Sequence, residues 1–224
     1  MTLPDQLAGG VQVVYEDADL LVLDKPAGLL CVPGRGPDKQ DCLSARAQQR
    51  WPGALIVHRL DQATSGLVLM ARHIDAQRQL SHAFAVRQVH KRYQAVVQGH
   101  MQPHPTDAHA WQDINLPIAA DWERRPLRVV DPVQGKPSLT RWRVRRHNAA
   151  DGTTHVELEP VTGRTHQLRV HLSAVGHPIL GDALYADETV QQLTPRLLLH
   201  ASHLKFIHPA TGVDTALYRI ADFE

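Results

Sequence analysis

The densest collection of reactive side chains lies in one eight-residue stretch, where His58, Arg59, Asp61, Thr64 and Ser65 fall together. Apolar runs flank it, Leu55 to Val57 before and Leu67 to Ala71 after, so Asp61 sits on the connection between two strand-like segments. A turn held by rigid strands can present a carboxylate to a substrate. Equally, an Asp in a turn can simply bond its own backbone. A Ser65–His58–Asp61 triad can be imagined, but such close neighbours rarely reach the geometry, and the sequence has no GxSxG elbow.

Arg164 raises a separate question. A helix is expected to open near Thr165, and a cation at its positive end is disfavoured by roughly 0.3–1 kcal/mol unless an anion is close. Arg164 therefore either points away into solvent or clamps a carboxylate or phosphate.

The fifteen histidines invite a metal reading. His166 and His171, five residues apart, diverge by about 140° on a helix and cannot share an ion as HExxH histidines do. No Cys/His spacing fits zinc and no DxDxDG loop fits calcium, so no metal is expected. Cys31 and Cys42 form no CxxC pair and suggest neither a disulfide framework nor a zinc ribbon, only small thiols of a reducing compartment.

These groups must be held by a strand-rich scaffold. Residues 11–15 (VQVVY) and 20–24 (LLVLD) predict two strands around the turn residues 16–19, and Lys25-Pro26-Ala27-Gly28 breaks the pattern. Pro33 to Pro37 predicts a basic loop. Asp41 is placed as the cap of a helix to about Arg50, with Leu43 and Ala47 inward; Asp75 is placed as the cap of another, carrying Ala76, Leu80 and Phe84 at i, i+4 spacing. Further strands are predicted at 93–97, 140–146, 154–159, 197–207 and 213–219. Leu168, Leu172 and Val175 mark one side of the helix from Thr165, stopped by Gly176 and Pro178. Many strands among few helices predict an α+β fold around a mixed, largely antiparallel sheet.

The chain of 224 residues suits a single domain. A hydrophobic fraction of 43% and a charged fraction of 21% are those of a soluble globular protein. MTLPDQLAGG lacks the pattern of a signal peptide and no apolar run is long enough to span a bilayer, so no membrane partner and a cytoplasmic location are expected. Formal net charge is only +1, yet 19 of the 24 basic residues are Arg, clustered at 87–92, 124–128 and 141–146. Arginine grips phosphate bidentately and stacks on bases. The alternative is a set of solvated faces balanced by nearby acids.

HRLDQATSGLVLMA (58–71), KRY (91–93) and TGRTHQLRVHLSAVGHPILGD (162–182), in this order and spacing, resemble the RluA family of pseudouridine synthases. Tyr15 to Gly28 and LLLHA (197–201) fit as well, so the resemblance runs from about Val13 to the end. It implies one pseudouridine-synthase catalytic domain over residues 1–224, with its core from about 13 and no S4-type RNA-binding domain ahead of it. Asp61 would be the catalytic aspartate, Tyr93 would stack on a flipped base, and Arg164 would pair with the aspartate. RNA contacts are implied at Arg59, which would fill the place of the flipped base, at His58, Lys91, Arg92 and Arg169, and at Leu199 packed near the base. No cofactor is implied, because the isomerisation involves neither redox change nor hydrolysis. VPGR (32–35), the compact length and ADF (221–223) most resemble the branch acting on both tRNA and 23S rRNA stem-loops. A monomer is expected. Two alternatives stay open, a sister synthase specific for another single tRNA position and a non-catalytic RNA-binding module.

Overall fold

The computed structural model describes residues 6–7, 11–103 and 110–224; most of the N-terminal segment read against a signal peptide lies outside them. Backbone contacts group the chain into two compact units, one of residues 1–91 with 200–221 and one of residues 92–199 with 222–224.

The first unit is built on strands β1 (Gln6–Leu7), β2 (Val11–Glu16), β3 (Leu20–Lys25), β4 (Leu55–Ile56) and β5 (Ser65–Ala71). Asp17 makes the first turn, its Oδ1 accepting from the amides of Asp19 at 2.8 Å and Leu20 at 2.9 Å. This Asx turn fixes the register of β2 on β3, antiparallel with Gln12 opposite Asp24. β3 pairs antiparallel with β5, and β4 lies along β5 at Leu55 and Ile56. All seven residues of β5 are buried, which explains why they read as a continuous apolar run rather than an alternation.

Helix α1 (Leu43–Arg50) buries Leu43 and Ala47 as expected, but its cap is Cys42 and not Asp41. Asp41 is instead held by Arg46 through Nε at 2.7 Å and Nη2 at 2.6 Å. Helix α2 (Ile74–Ala85) is capped by His73, whose Nδ1 accepts from Ala76 N at 3.3 Å, while Asp75 falls in the first turn. Ala76 and Leu80 of α2 pack with Leu20, Val22, Leu67, Leu69 and Phe206 into the unit's core. Each large aliphatic side chain buried there contributes about 1.5–3 kcal/mol.

The second unit carries most of β6 (His90–Gln98), then β7 (Gln112–Asn115), β8 (Ile118–Ala120), β9 (Arg128–Val130), β10 (Leu139–Asn148) and β11 (Thr153–Pro160). Its sheet runs β6-β11-β10-β7, every pairing antiparallel, and β8 and β9 form a separate two-stranded ribbon. Leu158 and Trp142 face inward from neighbouring positions. Helix α3 (Gln167–Ala174) begins at Gln167 because His166 adopts a left-handed conformation, φ 57°, just before it. Val175 is its C-terminal cap and is 39% exposed, not inward as its spacing suggests. Gly176 follows at φ +86°, the left-handed residue that ends the helix. Helix α4 (Glu188–Gln192) is short.

In the first unit β12 (Leu199–Ile207), whose first residue belongs to the second unit, pairs parallel with β5 and antiparallel with β13 (Asp214–Tyr218). The architecture is thus α+β, with a mixed and mostly antiparallel set of strands and few helices. Gly66 shows why the TSG triplet ends in glycine: at φ +111°, a Cβ there would lie 2.4 Å from the Ala201 carbonyl oxygen of β12. No helix among the described residues is long and apolar enough to cross a membrane.

Candidate active site

Asp61 is half-buried on a turn that is pinned from several sides. Its carbonyl accepts from Thr64 N at 3.1 Å, closing the turn. Gln62 is tied to Gly28 in both directions, Gly28 N donating to Gln62 O at 2.9 Å and Gln62 Nε2 donating to Gly28 O at 3.0 Å. Ahead of Asp61, buried Leu60 donates its amide to Cys31 Sγ at 3.2 Å.

Beneath the turn lies Lys25, fully buried at the end of β3. Its ammonium donates to Pro26 O at 2.8 Å, Leu29 O at 2.8 Å and Gln62 O at 3.0 Å, using all three N–H bonds. Burial pushes Lys25 down to about 8, an effect opposed by the charges of Cys31, Asp61 and Asp24. Burial likewise raises the Cys31 thiol. The Asp61 turn thus rests on a buried cation satisfied by backbone oxygens.

His58 anchors the same segment. Its Nε2 accepts from Leu69 N at 2.9 Å, and its ring stacks on Phe84 with centroids 4.5 Å apart. Burial, with a smaller contribution from Lys91, pushes His58 down to about 3. A neutral ring bonded to β5 gives His58 a positioning role for this segment. Ser65 bonds His200 Nδ1 at 2.9 Å and His58 bonds backbone, so the imagined triad does not form. Lys91 sits over Phe84 at 5.7 Å, and burial lowers its pKa. Arg59 is exposed and its neighbour Leu60 is buried.

The remaining expected residues belong to the second unit. Tyr93 is buried on β6, opposite Leu158 of β11. Leu199 is buried at the start of β12. Arg92 lies 3.4 Å from Glu159 and 3.5 Å from Glu157, with its guanidinium over Trp111. Arg169 is an interior residue, 4% exposed, held by Asp182 through Nε at 2.8 Å and Nη2 at 2.6 Å. The two groups form an interior ion pair. Arg164 is exposed and precedes the helix altogether, its guanidinium 3.4 Å from Pro137 O. The helix-end penalty expected for it therefore does not arise.

Two groups escaped the sequence reading. Gln167 uses its whole amide: Oε1 accepts from Thr162 Oγ1 at 2.7 Å and Arg164 N at 3.0 Å, while Nε2 donates to Leu139 O at 2.9 Å and Thr140 Oγ1 at 3.0 Å. It thereby shapes the GRT loop against β10. No local signal sets Gln167 apart, since Arg169 and His171 of the same short helix are buried polar residues too.

The second group is Asp17, Asp19 and His208, whose ligand atoms lie within 4.8 Å of one another. Hydrogen bonds account for this cluster. Asp17 Oδ2 accepts from Tyr15 Oη and His208 Nε2, both at 2.7 Å, and His208 Nδ1 accepts from the amides of Ala210 and Thr211. Burial alone would raise Asp17, but the donors Leu20, Tyr15, Asp19 and His208 outweigh it and hold the carboxyl at about 2. The cluster is a clasp between a turn and a strand end. His166 and His171 do diverge: Tyr185 Oη meets His166 Nδ1 at 2.7 Å, whereas His171 Nε2 donates to Leu116 O at 2.9 Å.

Residues 19–174 match the family model described as RNA pseudouridylate synthase. Over 211 residues the chain is 44% identical to the "Dual-specificity RNA pseudouridine synthase RluA" of Escherichia coli (strain K12), covering 94% of this chain and 93% of that protein. The protein of the same name from Haemophilus influenzae is 40% identical over 213 residues, covering 95% and 94%. Among solved structures, human RNA Pseudouridylate Synthase Domain Containing 1 superimposes with a TM-score of 0.79 at 31% identity, covering 99% of this chain and 88% of that one. With HRLD placed on a braced turn and GRTHQ opening α3, the chain belongs to the RNA pseudouridylate synthase family of isomerases.

Proposed function

We propose that this protein converts uridine to pseudouridine in stem-loops of both tRNA and 23S rRNA, with Asp61 as the group that acts on the target nucleotide. The observation that carries the reading is the Asp61 turn, a half-buried carboxylate braced through Gln62 by Lys25 and Gly28. The breadth of substrate is inferred from relatives named for dual specificity that align over nearly the whole chain.

In the reaction, the bond from C1′ to N1 breaks and the bond from C1′ to C5 forms. N1 gains a proton and C5 loses one, so atoms and oxidation state balance without a cofactor. Detaching and turning the base requires it to leave the helical stack. A fixed carboxylate can act on the flipped nucleotide as a nucleophile. In the same reading Tyr93 stacks on the base, Arg59 fills the space it leaves, and Arg164 orients Asp61. Arg164 suits that task because, among the described residues, its guanidinium meets one neutral carbonyl at 3.4 Å, a weak tie.

Mapping pseudouridine in total RNA from cells lacking this protein tests the proposal. Loss of sites in both tRNA and 23S rRNA is the expected result. Loss in one tRNA position alone establishes the single-specificity reading, and loss of none contradicts catalysis. Substituting Arg164 tests the orienting role: full activity in Arg164→Ala removes Arg164 from it.

A further inference from the structure

The ribbon β8–β9 carries an arginine cluster, 124–128, that the proposed chemistry does not use. At its tip Trp122 is 70% exposed, and the Arg125 guanidinium lies over its ring, 4.3 Å from the centroid. A large exposed ring with a cation held over its face offers a flat surface for stacking.

The tip is ordered before any partner arrives. Asp121 accepts from Arg124 N at 3.0 Å and pairs with the Arg124 guanidinium at 2.7 Å, while Asp121 N donates to Leu127 O and Leu127 N to Arg124 O. The foot of the ribbon is closed by Ile118 and Lys136, which exchange both backbone bonds. Its flank is fastened to the family motif inside the same unit: Arg128 N donates to Tyr185 Oη at 3.0 Å, Tyr185 Oη meets His166 of GRTHQ, and Pro137 O meets Arg164. Among the described residues, Arg125 meets the indole ring and no carboxylate.

We propose that Trp122 and Arg125 form a stacking platform for an unpaired nucleobase of the substrate RNA. This rests on the reading that the protein acts on RNA and adds a determinant of which loops it accepts. A flat indole backed by a guanidinium fits a nucleobase, which has a π-face and is joined to a phosphate that a cation can hold. A protein partner could use the same pair, and in that case Trp122→Ala binds every RNA as wild type does.

The test uses the full chain with Trp122→Ala, Trp122→Phe and, as a control in the turn that follows β9, Val133→Ser, where the native side chain is 88% exposed. Affinity is measured for a stem-loop substrate and for versions carrying one abasic site at each loop position in turn. Trp122→Ala should weaken binding about 10-fold, the usual loss for one stacked base, with Phe recovering most of it. The rate at saturating enzyme should change much less. At one abasic position wild type and Trp122→Ala should bind alike, because the base that stacks is gone. Trp122→Ala within about twofold of wild type on every RNA overturns the proposal. So does a defect of equal size at all abasic positions. A wild-type protein that forms no pseudouridine in any of these RNAs contradicts the enzymatic reading instead, and that arm is read separately.

Discussion

The ammonium of Lys25 donates to the carbonyl of Gln62, the residue after Asp61, at 3.0 Å. A cation that no solvent reaches thus underpins the loop that carries the proposed catalytic carboxylate. Lys25→Met keeps the stem but leaves Pro26 O and Leu29 O without the donor they share. We predict a stability loss of about 2 kcal/mol, the cost of buried acceptors left unpaired. Displacement of the turn should lower kcat roughly 10- to 100-fold. Urea unfolding and single-turnover kinetics check this, and an unchanged kcat contradicts the bracing role.

His58 makes stability depend on pH. Its folded pKa of about 3 lies below the ordinary value of 6.5, so the unfolded chain takes up a proton that the folded chain refuses. The contribution is intact above 6.5 and erodes as pH falls towards 3, by up to about 1.4 kcal/mol per pH unit. His58→Gln still offers an acceptor to Leu69 N but does not titrate. Unfolding curves at pH 7, 6 and 5 should show a shallower acid loss for the variant. Parallel pH profiles contradict the assignment.

The ion pair of Arg169 and Asp182 lies inside the second unit, with side chains 4% and 0% exposed. Arg169→Met strands a buried carboxylate and should cost about 3–5 kcal/mol. Arg169→Met combined with Asp182→Leu should recover part of that loss. A single variant within about 1 kcal/mol of wild type in urea unfolding contradicts the pair's structural weight.

Much of this was legible beforehand. The hairpin at 11–25, the buried strand after HRLD, and the β10–β11 pair follow directly from apolar patterning and turn residues. The caps were not, because local sequence does not say which donors an acidic side chain will meet. Asp41 was diverted by Arg46, and His73 took the place read for Asp75. RWRVRR left two readings open, a phosphate-gripping patch and a face balanced by acids, and strand register sets Arg141 against Glu159 and Arg143 against Glu157. For those two arginines, the reading of charge balanced by nearby acids holds. Burial of Lys25 and Arg169 was equally hidden, since a charged residue's partners come from distant parts of the chain.

Arg59 is exposed one residue from buried Leu60 and two from Asp61. If its guanidinium fills the place of the flipped uridine, it offsets part of an unstacking cost of a few kcal/mol. Arg59→Ala should then be slow on a stem-loop with a stacked target and much less impaired where a neighbouring abasic site has already unstacked it. Single-turnover rates at saturating enzyme on both RNAs decide the matter. An equal defect on both leaves Arg59 as a phosphate contact only.

The central claim is that Asp61 performs the isomerisation, and Asp61→Asn tests it most directly. Asn keeps the shape of the side chain, removes the proposed nucleophilic anion and takes a negative charge away from the proposed RNA site. The measurement is pseudouridine formed in a tRNA stem-loop under single-turnover conditions, with RNA affinity measured alongside. The account predicts no detectable pseudouridine, with affinity equal to wild type or slightly tighter. Turnover by Asp61→Asn at a rate near that of wild type contradicts it.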